Sequence, residues 1–299
     1  MKKPNFIIVG FPKCGTTSLH HYLEEHPEIF MPEQKELHFF TSKKLQILNN
    51  GPGDKIVKKT QISSEEKYLS FFDKVKNEIA IGEASPSYIN YPEYFPKIKQ
   101  TLNDPKIIIM LRDPINRAYS NYLHLKREGR ENLSFKDAVF NEEKRKKLAF
   151  SDFWYYKFNS TYSDKIKEAT KIFSNVLTVT LEELQAAPNE TIKRVYSFLG
   201  VSENYRAKNI NKKFNLGGHY SSNIFTRLLF KPSVNKILLK KVIKPSSNLK
   251  IFLSGLAKVF LRKPKKIDVK TIKHLTNYFK EDIKELKKMN INMENWREY

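Results

Sequence analysis

Residues 6–29, FIIVGFPKCGTTSLHHYLEEHPEI, constrain this chain more than any other stretch. Phe6 to Val9 form a short apolar run that suits a buried strand, and Gly10 opens a turn that Gly15 closes just before Thr16, Thr17 and Ser18. From Leu19 the pattern is helical, with Leu19, Tyr22 and Leu23 on one face and Glu24 and Glu25 on the other. Strand, glycine-bounded turn and helix start together make a nest of backbone N–H groups at a helix N-terminus. Such a nest binds phosphate or sulfate, because its amides and the positive end of the macrodipole point at the anion. The spacing narrows the reading. Gly10, Gly15 and Thr17 keep the frame of the G-x4-G-K-[ST] triphosphate loop, but Thr16 stands where its lysine belongs and Lys13 lies inside the loop. A lysine there sits against an anion at the turn and does not reach along a β,γ-phosphate. The loop therefore suits a nucleotide with one 5′ phosphate bearing a transferable group.

PKCGTTSL resembles the 5′-phosphosulfate loop of sulfotransferases that use 3′-phosphoadenosine 5′-phosphosulfate (PAPS). KIIIMLRDPINRAYSNY, from Lys106 to Tyr122, resembles the strand–Arg–Ser half of the same signature. The likeness implies that Lys13, Cys14, Gly15, Thr16, Thr17 and Ser18 bind the 5′ side of the donor. It also implies that Arg112 and Ser120 bind its 3′ phosphate, a guanidinium on two oxygens and a hydroxyl on the third. The residues support the second element on their own account. A strongly apolar strand, Lys106 to Leu111, ends at Arg112, on the carboxyl edge where open α/β sheets bind ligands. Asp113 suits an N-cap and Pro114 the first helical position, and the helix runs to about Glu128. Arg117 is expected to pair with Asp113 one turn back. Cys14, the only cysteine, reads as a small residue packed in the loop; it excludes a disulfide framework and fits a reducing compartment.

Two further segments carry candidate chemistry. In KELHFF, Glu36 and His38 are two apart and share one side of an extended segment, where either is able to take a proton from an incoming hydroxyl or amine. The segment resembles the K-E-x-x-F-F element of carbohydrate sulfotransferases, which implies Glu36 as the general base, with His38 as second choice. EIAIGEASPSYINYP reads as a buried strand ending in a turn and resembles the family's G-E-x-S-P-x-Y element. That likeness implies Glu83, Ser85 and Tyr88 as acceptor-side groups, although several heparan sulfate enzymes carry a Lys where this chain has Ala84. A late loop, KKFNLGGHYSSN, falls where the family covers the nucleotide, and Lys213 and Gly217 are its candidates, with Lys212 and Gly218 beside them.

Elsewhere the pattern predicts helices at about 64–75, 92–102, 134–154, 162–173 and from Pro188 to Gly200, and a strand at 176–181. Residues 41–78 read as a polar, lysine-rich loop near the acceptor side. Lys and Arg number 54 against 32 acids, a net +22 that favours polyanions without choosing among them. The excess is concentrated: residues 224–273 hold 14 basic residues and one acid, Asp268. Apolar positions interleave there at helical spacing, as in Ile237, Leu238 and Val242, then Ile251, Phe252, Leu256 and Val259. Two basic amphipathic helices suit an anionic membrane surface, an acidic acceptor glycan, or packing on the core with solvated lysines.

The expectation is an α/β fold, a P-loop-type parallel sheet with helices on both faces and a basic helical C-terminal region. Residues 1–223 form the core, 224–273 a basic insertion packed on it, and 274–299 a helix and Trp-bearing tail that resembles the D-I-x-x-L…W ending of bacterial sulfotransferases. The implied activity is sulfuryl transfer from PAPS to a hydroxyl or amine, more naturally of a carbohydrate than of a small phenol. It leaves adenosine 3′,5′-bisphosphate and needs no metal and no nucleic acid. A cytoplasmic setting follows from the absence of a signal-peptide h-region and of any 18-residue apolar run, with peripheral contact at an anionic membrane open. Two rivals are defined by what they require. A P-loop kinase or NTPase wants Lys at Thr16 and an acidic Mg²⁺ partner after a strand; a non-enzymatic polyanion or membrane binder wants the charge without a paired Arg…Ser site.

Overall fold

A computed structural model describes residues 2–57, 61–210, 219–220, 261–262 and 264–299. At its centre is a five-stranded, wholly parallel sheet in the order β2-β3-β1-β4-β5. The strands are β1 (Phe6–Gly10), β2 (Ile29–Phe30), β3 (Ala80–Ala84), β4 (Lys106–Leu111) and β5 (Val176–Thr180). The four strands legible in the sequence stand where expected. The two-residue edge strand β2 lies where Pro27 and scattered charge leave no strand pattern in the sequence.

Every residue of β1 and β3 is buried, as is β4 beyond Lys106. Helices on both faces leave no solvated side, which is why these strands read as continuous apolar runs rather than alternations. β1 packs so closely against β3 that a Cβ on Gly82 would lie 2.0 Å from the Phe6 ring.

The helices are α1 (Thr16–Glu24), α2 (Ser42–Ile47), α3 (Asp54–Val57), α4 (Glu65–Leu69), α5 (Phe95–Leu102), α6 (Pro114–Arg127), α7 (Phe135–Phe140), α8 (Glu142–Lys147), α9 (Ser163–Ile172), α10 (Leu181–Ala186), α11 (Pro188–Leu199) and α12 (Val269–Lys288). Asp113 caps α6 by accepting from Asn116 N–H at 2.7 Å, with Pro114 behind it, as the sequence implied. α11 runs from Pro188 to a left-handed Gly200. Two predicted helices are much shorter or broken, and one helix is new. α4 covers five residues and passes into a 3₁₀ turn, Ser70–Phe72. The stretch 134–154 splits into α7 and α8, because Asn141 both closes the first and opens the second. α10, unanticipated, starts on a Thr180–Glu183 capping box.

α12 begins at Val269, capped by Asp268, so the boundary drawn at 274 falls inside it. Its Asp282 carboxylate accepts from the N–H groups of Tyr162 and Ser163, tying α12 to the start of α9. The amphipathic helices expected between 224 and 260 lie outside the described residues. No helix among the described residues is long and apolar enough to cross a membrane.

Sheet order fixes where a ligand sits. The connection after β1 leads toward β3, while β4 lies on the other side of β1 and leads on to β5. Between the carboxyl ends of β1 and β4 the two connections diverge, and a crevice opens there.

Candidate active site

The loop after β1 enters that crevice as the spacing requires. Lys13 (φ 70°) and Gly15 (φ 92°) are left-handed, and Gly15 is the N-cap of α1. A side chain at Gly15 would carry backbone strain and put its Cβ 2.7 Å from Leu181. No side chain caps α1, so its first amides face the crevice. Cys14 is fully buried beneath, and burial pushes its thiol up to about 12. It stays a neutral packing group, as its sequence reading has it.

A cavity of about 610 Å³ fills the crevice. Lys13 and Gly15 to Ser18 line one wall; Arg112, Asn116, Ser120, His124 and Arg127 line the other. The last five reach it from β4 and from one face of α6, recurring every three or four residues. Arg112 Nη1 donates to the Lys13 carbonyl at 3.3 Å, joining the two loops. Tyr162 O–H supports Arg112 from behind, donating to its carbonyl at 2.9 Å. Neither Lys13, Arg112 nor Arg127 forms an ion pair among the described residues. Burial, reinforced by Arg127, lowers Lys13 to about 8.

Arg117 does not pair with Asp113. It is fully buried and donates from Nη2 to Asn121 at 2.9 Å. The Asp113 carboxylate is taken by its own helix cap and by the tail, where Arg297 Nε donates at 2.9 Å and Tyr299 O–H at 3.1 Å. Trp296 Nε1 donates to Glu182 at 3.0 Å beside them. The Trp-bearing ending thus braces the turn that carries Arg112.

Glu36 and His38 meet, but not on an extended segment. Both are left-handed (φ 58° and 52°), so the loop coils and brings His38 Nε2 to 3.8 Å from Glu36 Oε2. Glu36 N–H donates to the Ala84 carbonyl at the end of β3, and His38 N–H to Ser85 Oγ at 3.0 Å. The Glu36 side chain remains 53% exposed at the cavity mouth. Desolvation raises its pKa, yet the nearby His38, with Lys35 and Lys13, outweighs that and holds it at about 2. Lys35 also donates to Thr17 Oγ1 at 2.7 Å, linking this loop to the anion loop.

Glu83, Ser85 and Tyr88 are fully buried and do not line the cavity. Ser85 Oγ donates to Glu83 at 2.6 Å and Tyr68 O–H donates to Glu83 at 3.3 Å. They form the floor that holds the Glu36–His38 loop rather than a surface an acceptor touches. Lys213 and Gly217, like Lys212 and Gly218, lie outside the described residues.

A second cavity of about 180 Å³ adjoins the first. Pro12, Glu36, Pro86, His124 and Phe153 line both. Sequence reasoning missed most of its wall. Leu45, Asp54 and Gln61 come from the 41–78 stretch, and Glu128, Arg130 and Asp152 from beyond α6. His124 was within reach of the sequence, one turn beyond Ser120 on the same helix face; Asp54 and Gln61 carried no local signal.

Residues 4–205 match the sequence profile described as "Sulfotransferase family". The chain belongs to the sulfotransferase family. It is 38% identical to the membrane-associated sulfotransferase kil1 of Dictyostelium discoideum, over 40% of this chain and 22% of that one. It is 32% identical to carbohydrate sulfotransferase 15 of Mus musculus, over 46% and 30%. The chain spans less than half the length of the curated relatives it matches. A crystal structure of a sulfotransferase from Alicyclobacillus acidocaldarius superposes over the full length of both chains, with 29% identity and a TM-score of 0.77. The chain carries an α/β fold on a parallel sheet, as that solved sulfotransferase does.

Proposed function

We propose that the enzyme moves a sulfuryl group from PAPS to a hydroxyl or amine of a carbohydrate, with Glu36 as the base. One observation carries this reading: Glu36 lines both cavities, standing between a cationic chamber and a second chamber that opens beside it.

The larger chamber fits the donor. Lys13, Arg112 and Arg127 supply positive charge, the start of α1 supplies amides, and Thr16, Thr17, Ser18 and Ser120 supply hydroxyls. Tyr22, Leu184, Pro188 and Ile210 add apolar surface of the kind a nucleobase covers. PAPS supplies an activated S–O bond; the rest is positioning and electrostatics. In this scheme the amides and hydroxyls of Gly15 to Ser18 hold the 5′ phosphate, and Arg112 with Ser120 hold the 3′ phosphate. The acceptor oxygen or nitrogen bonds to sulfur while the bond from sulfur to the 5′-phosphate oxygen breaks. The acceptor's proton passes to the Glu36 carboxylate. Lys13, as ammonium, meets the charge that grows on the departing oxygen. The products are a sulfate ester or sulfamate and adenosine 3′,5′-bisphosphate, with atoms and charge balanced. Carbohydrate as acceptor class is supported by the names of the relatives, among them carbohydrate sulfotransferase 15 and a heparan sulfate glucosamine 3-O-sulfotransferase.

Calorimetric titration with adenosine 3′,5′-bisphosphate, beside ATP with Mg²⁺, tests the donor. Tight, metal-independent binding of the bisphosphate is expected. A preference for ATP with Mg²⁺ would overturn the assignment.

A further inference from the structure

The two chambers have opposite electrostatic characters. Among the described residues, the larger carries three cations, Lys13, Arg112 and Arg127, against one carboxylate, Glu36. Among the described residues, the smaller carries four carboxylates, Glu36, Asp54, Glu128 and Asp152, against one guanidinium, Arg130, with the imidazoles of His38 and His124 beside them. That guanidinium is already committed. Its Nε donates to the Pro52 carbonyl at 2.7 Å, its Nη1 to Glu128 at 3.1 Å, and its Nη2 to Asp54. His124, between the chambers, is kept neutral by burial and has Arg127 on Nδ1 and Glu128 on Nε2.

An acidic group entering the smaller chamber would thus face Glu36, Glu128 and Asp152 without an uncommitted cation among the described residues. In a space partly shielded from water, like charges a few ångströms apart are strongly unfavourable. A hydrogen-bond donor would meet the reverse situation. Gln61 Oε1 is buried and has no partner among the described residues, so it needs an O–H or N–H to restore the bond it gave up in leaving water. Phe153, Leu45 and Pro86 add apolar surface suited to the C–H face of a ring. At about 180 Å³ the chamber is well below the about 300–1,000 Å³ that encloses a drug-sized ligand, so it takes one ring rather than a chain.

We propose that the acceptor ring entering this chamber is an uncharged or amino-bearing sugar without carboxylate or sulfate, in contrast to the acidic glycan that the net charge of the chain suggests. Gln61 and Glu36 receive its hydroxyl or ammonium hydrogens, and the chamber rejects a uronic acid. The proposal rests on the donor reading above and narrows its acceptor.

The test uses the full chain, radiolabelled PAPS and four matched acceptors: a cello-oligosaccharide, a chito-oligosaccharide with free amines, a heparosan oligosaccharide and a desulfated chondroitin oligosaccharide. Turnover is followed beside calorimetric binding of each acceptor with adenosine 3′,5′-bisphosphate present. The neutral or amine-bearing acceptors are expected to exceed the uronic-acid ones in kcat/KM by at least about tenfold. Gln61→Leu should raise the acceptor KM about fivefold or more while the bisphosphate affinity stays as in the parent. Equal or better use of the uronic-acid acceptors overturns the proposal. So does binding of the bisphosphate with no binding or turnover of the neutral and amine-bearing acceptors, which leaves the donor reading standing. If the bisphosphate itself does not bind, the donor reading falls and this proposal with it.

Discussion

Lys13 Nζ lies 3.4 Å from Nδ1 of His124, and the same ring nitrogen receives Arg127 Nη2 at 3.0 Å. Two cationic donors on Nδ1 place the ring hydrogen on Nε2, which faces Glu128 at 3.2 Å. The lysine of the anion loop therefore rests on a neutral imidazole. A carboxylate in that position would compete with an arriving phosphate for the ammonium; an imidazole does so far less.

This arrangement predicts proton uptake on donor binding. Burial holds Lys13 at about 8, so near that pH a good part of it is neutral. A bound anion favours the ammonium and raises its pKa, and a proton is drawn from the buffer. Calorimetry of adenosine 3′,5′-bisphosphate at pH 8 should give different enthalpies in two buffers of different ionisation enthalpy. At pH 6.5, where Lys13 is already charged, the difference should shrink. By the same sign, kcat/KM should fall as pH rises through about 8. Equal enthalpies at pH 8, or a difference that persists in Lys13→Met, would remove Lys13 from the anion site.

Glu36→Gln keeps the shape of the side chain and removes its capacity to take a proton. Turnover should drop by about 10²–10⁴-fold, the usual range for a general base. Affinity for the bisphosphate should hold within about twofold. His38→Ala should cost less, because His38 orients and charges the Glu36 carboxylate from 3.8 Å. If the two effects come out reversed in size, His38 is the base.

The wall of the larger cavity was legible because its residues are close in sequence and each has a backbone reason. Gly15 closes a turn at positive φ, Asp113 and Pro114 start a helix, and Arg112 must then fall at a strand end. The wall of the smaller cavity was legible only in part. Glu36 and His38 share a side for a reason the sequence hides, a coil of two left-handed residues rather than a strand. The likeness to the G-E-x-S-P-x-Y element implied Glu83 and Ser85 as acceptor-side groups; here they point into the floor and hold the loop above. Asp54, Gln61 and Arg130 converge from segments without periodic pattern, and only the tertiary fold brings them together. The same holds for Arg117, whose expected partner Asp113 is taken by a tail 184 residues away in the chain.

Arg112 should discriminate by phosphate rather than by nucleoside. Its Nη1 bond to the Lys13 carbonyl leaves the other nitrogen of the fork for a phosphate. Arg112→Ala should weaken adenosine 3′,5′-bisphosphate by about tenfold or more, the scale of a lost charge-assisted bond. Adenosine 5′-monophosphate should be affected much less. Equal losses for both nucleotides would make Arg112 a brace between the two loops and nothing more.

The tail latch at Asp113 makes the last prediction, one of stability. Asp113 is fully buried and carries a charge that the cap of α6 satisfies only in part; Arg297 Nε and Tyr299 O–H complete it. Removing Arg297 leaves that carboxylate short of a donor in a water-poor site. Hydrogen bonds to charged groups contribute about 1.5–3 kcal/mol. The Arg297 side chain is 25% exposed, and solvent lowers the expected cost of Arg297→Ala to about 1–2 kcal/mol, read as a shift in the urea midpoint at unchanged m-value. Arg297→Lys keeps the charge but loses the fork that also reaches Asn116 at 2.6 Å, so it should fall between parent and Ala. Asp113→Asn combined with Arg297→Ala should cost less than the sum of the two, because the pair is lost once. Strict additivity would show that the tail lies against α6 without holding it.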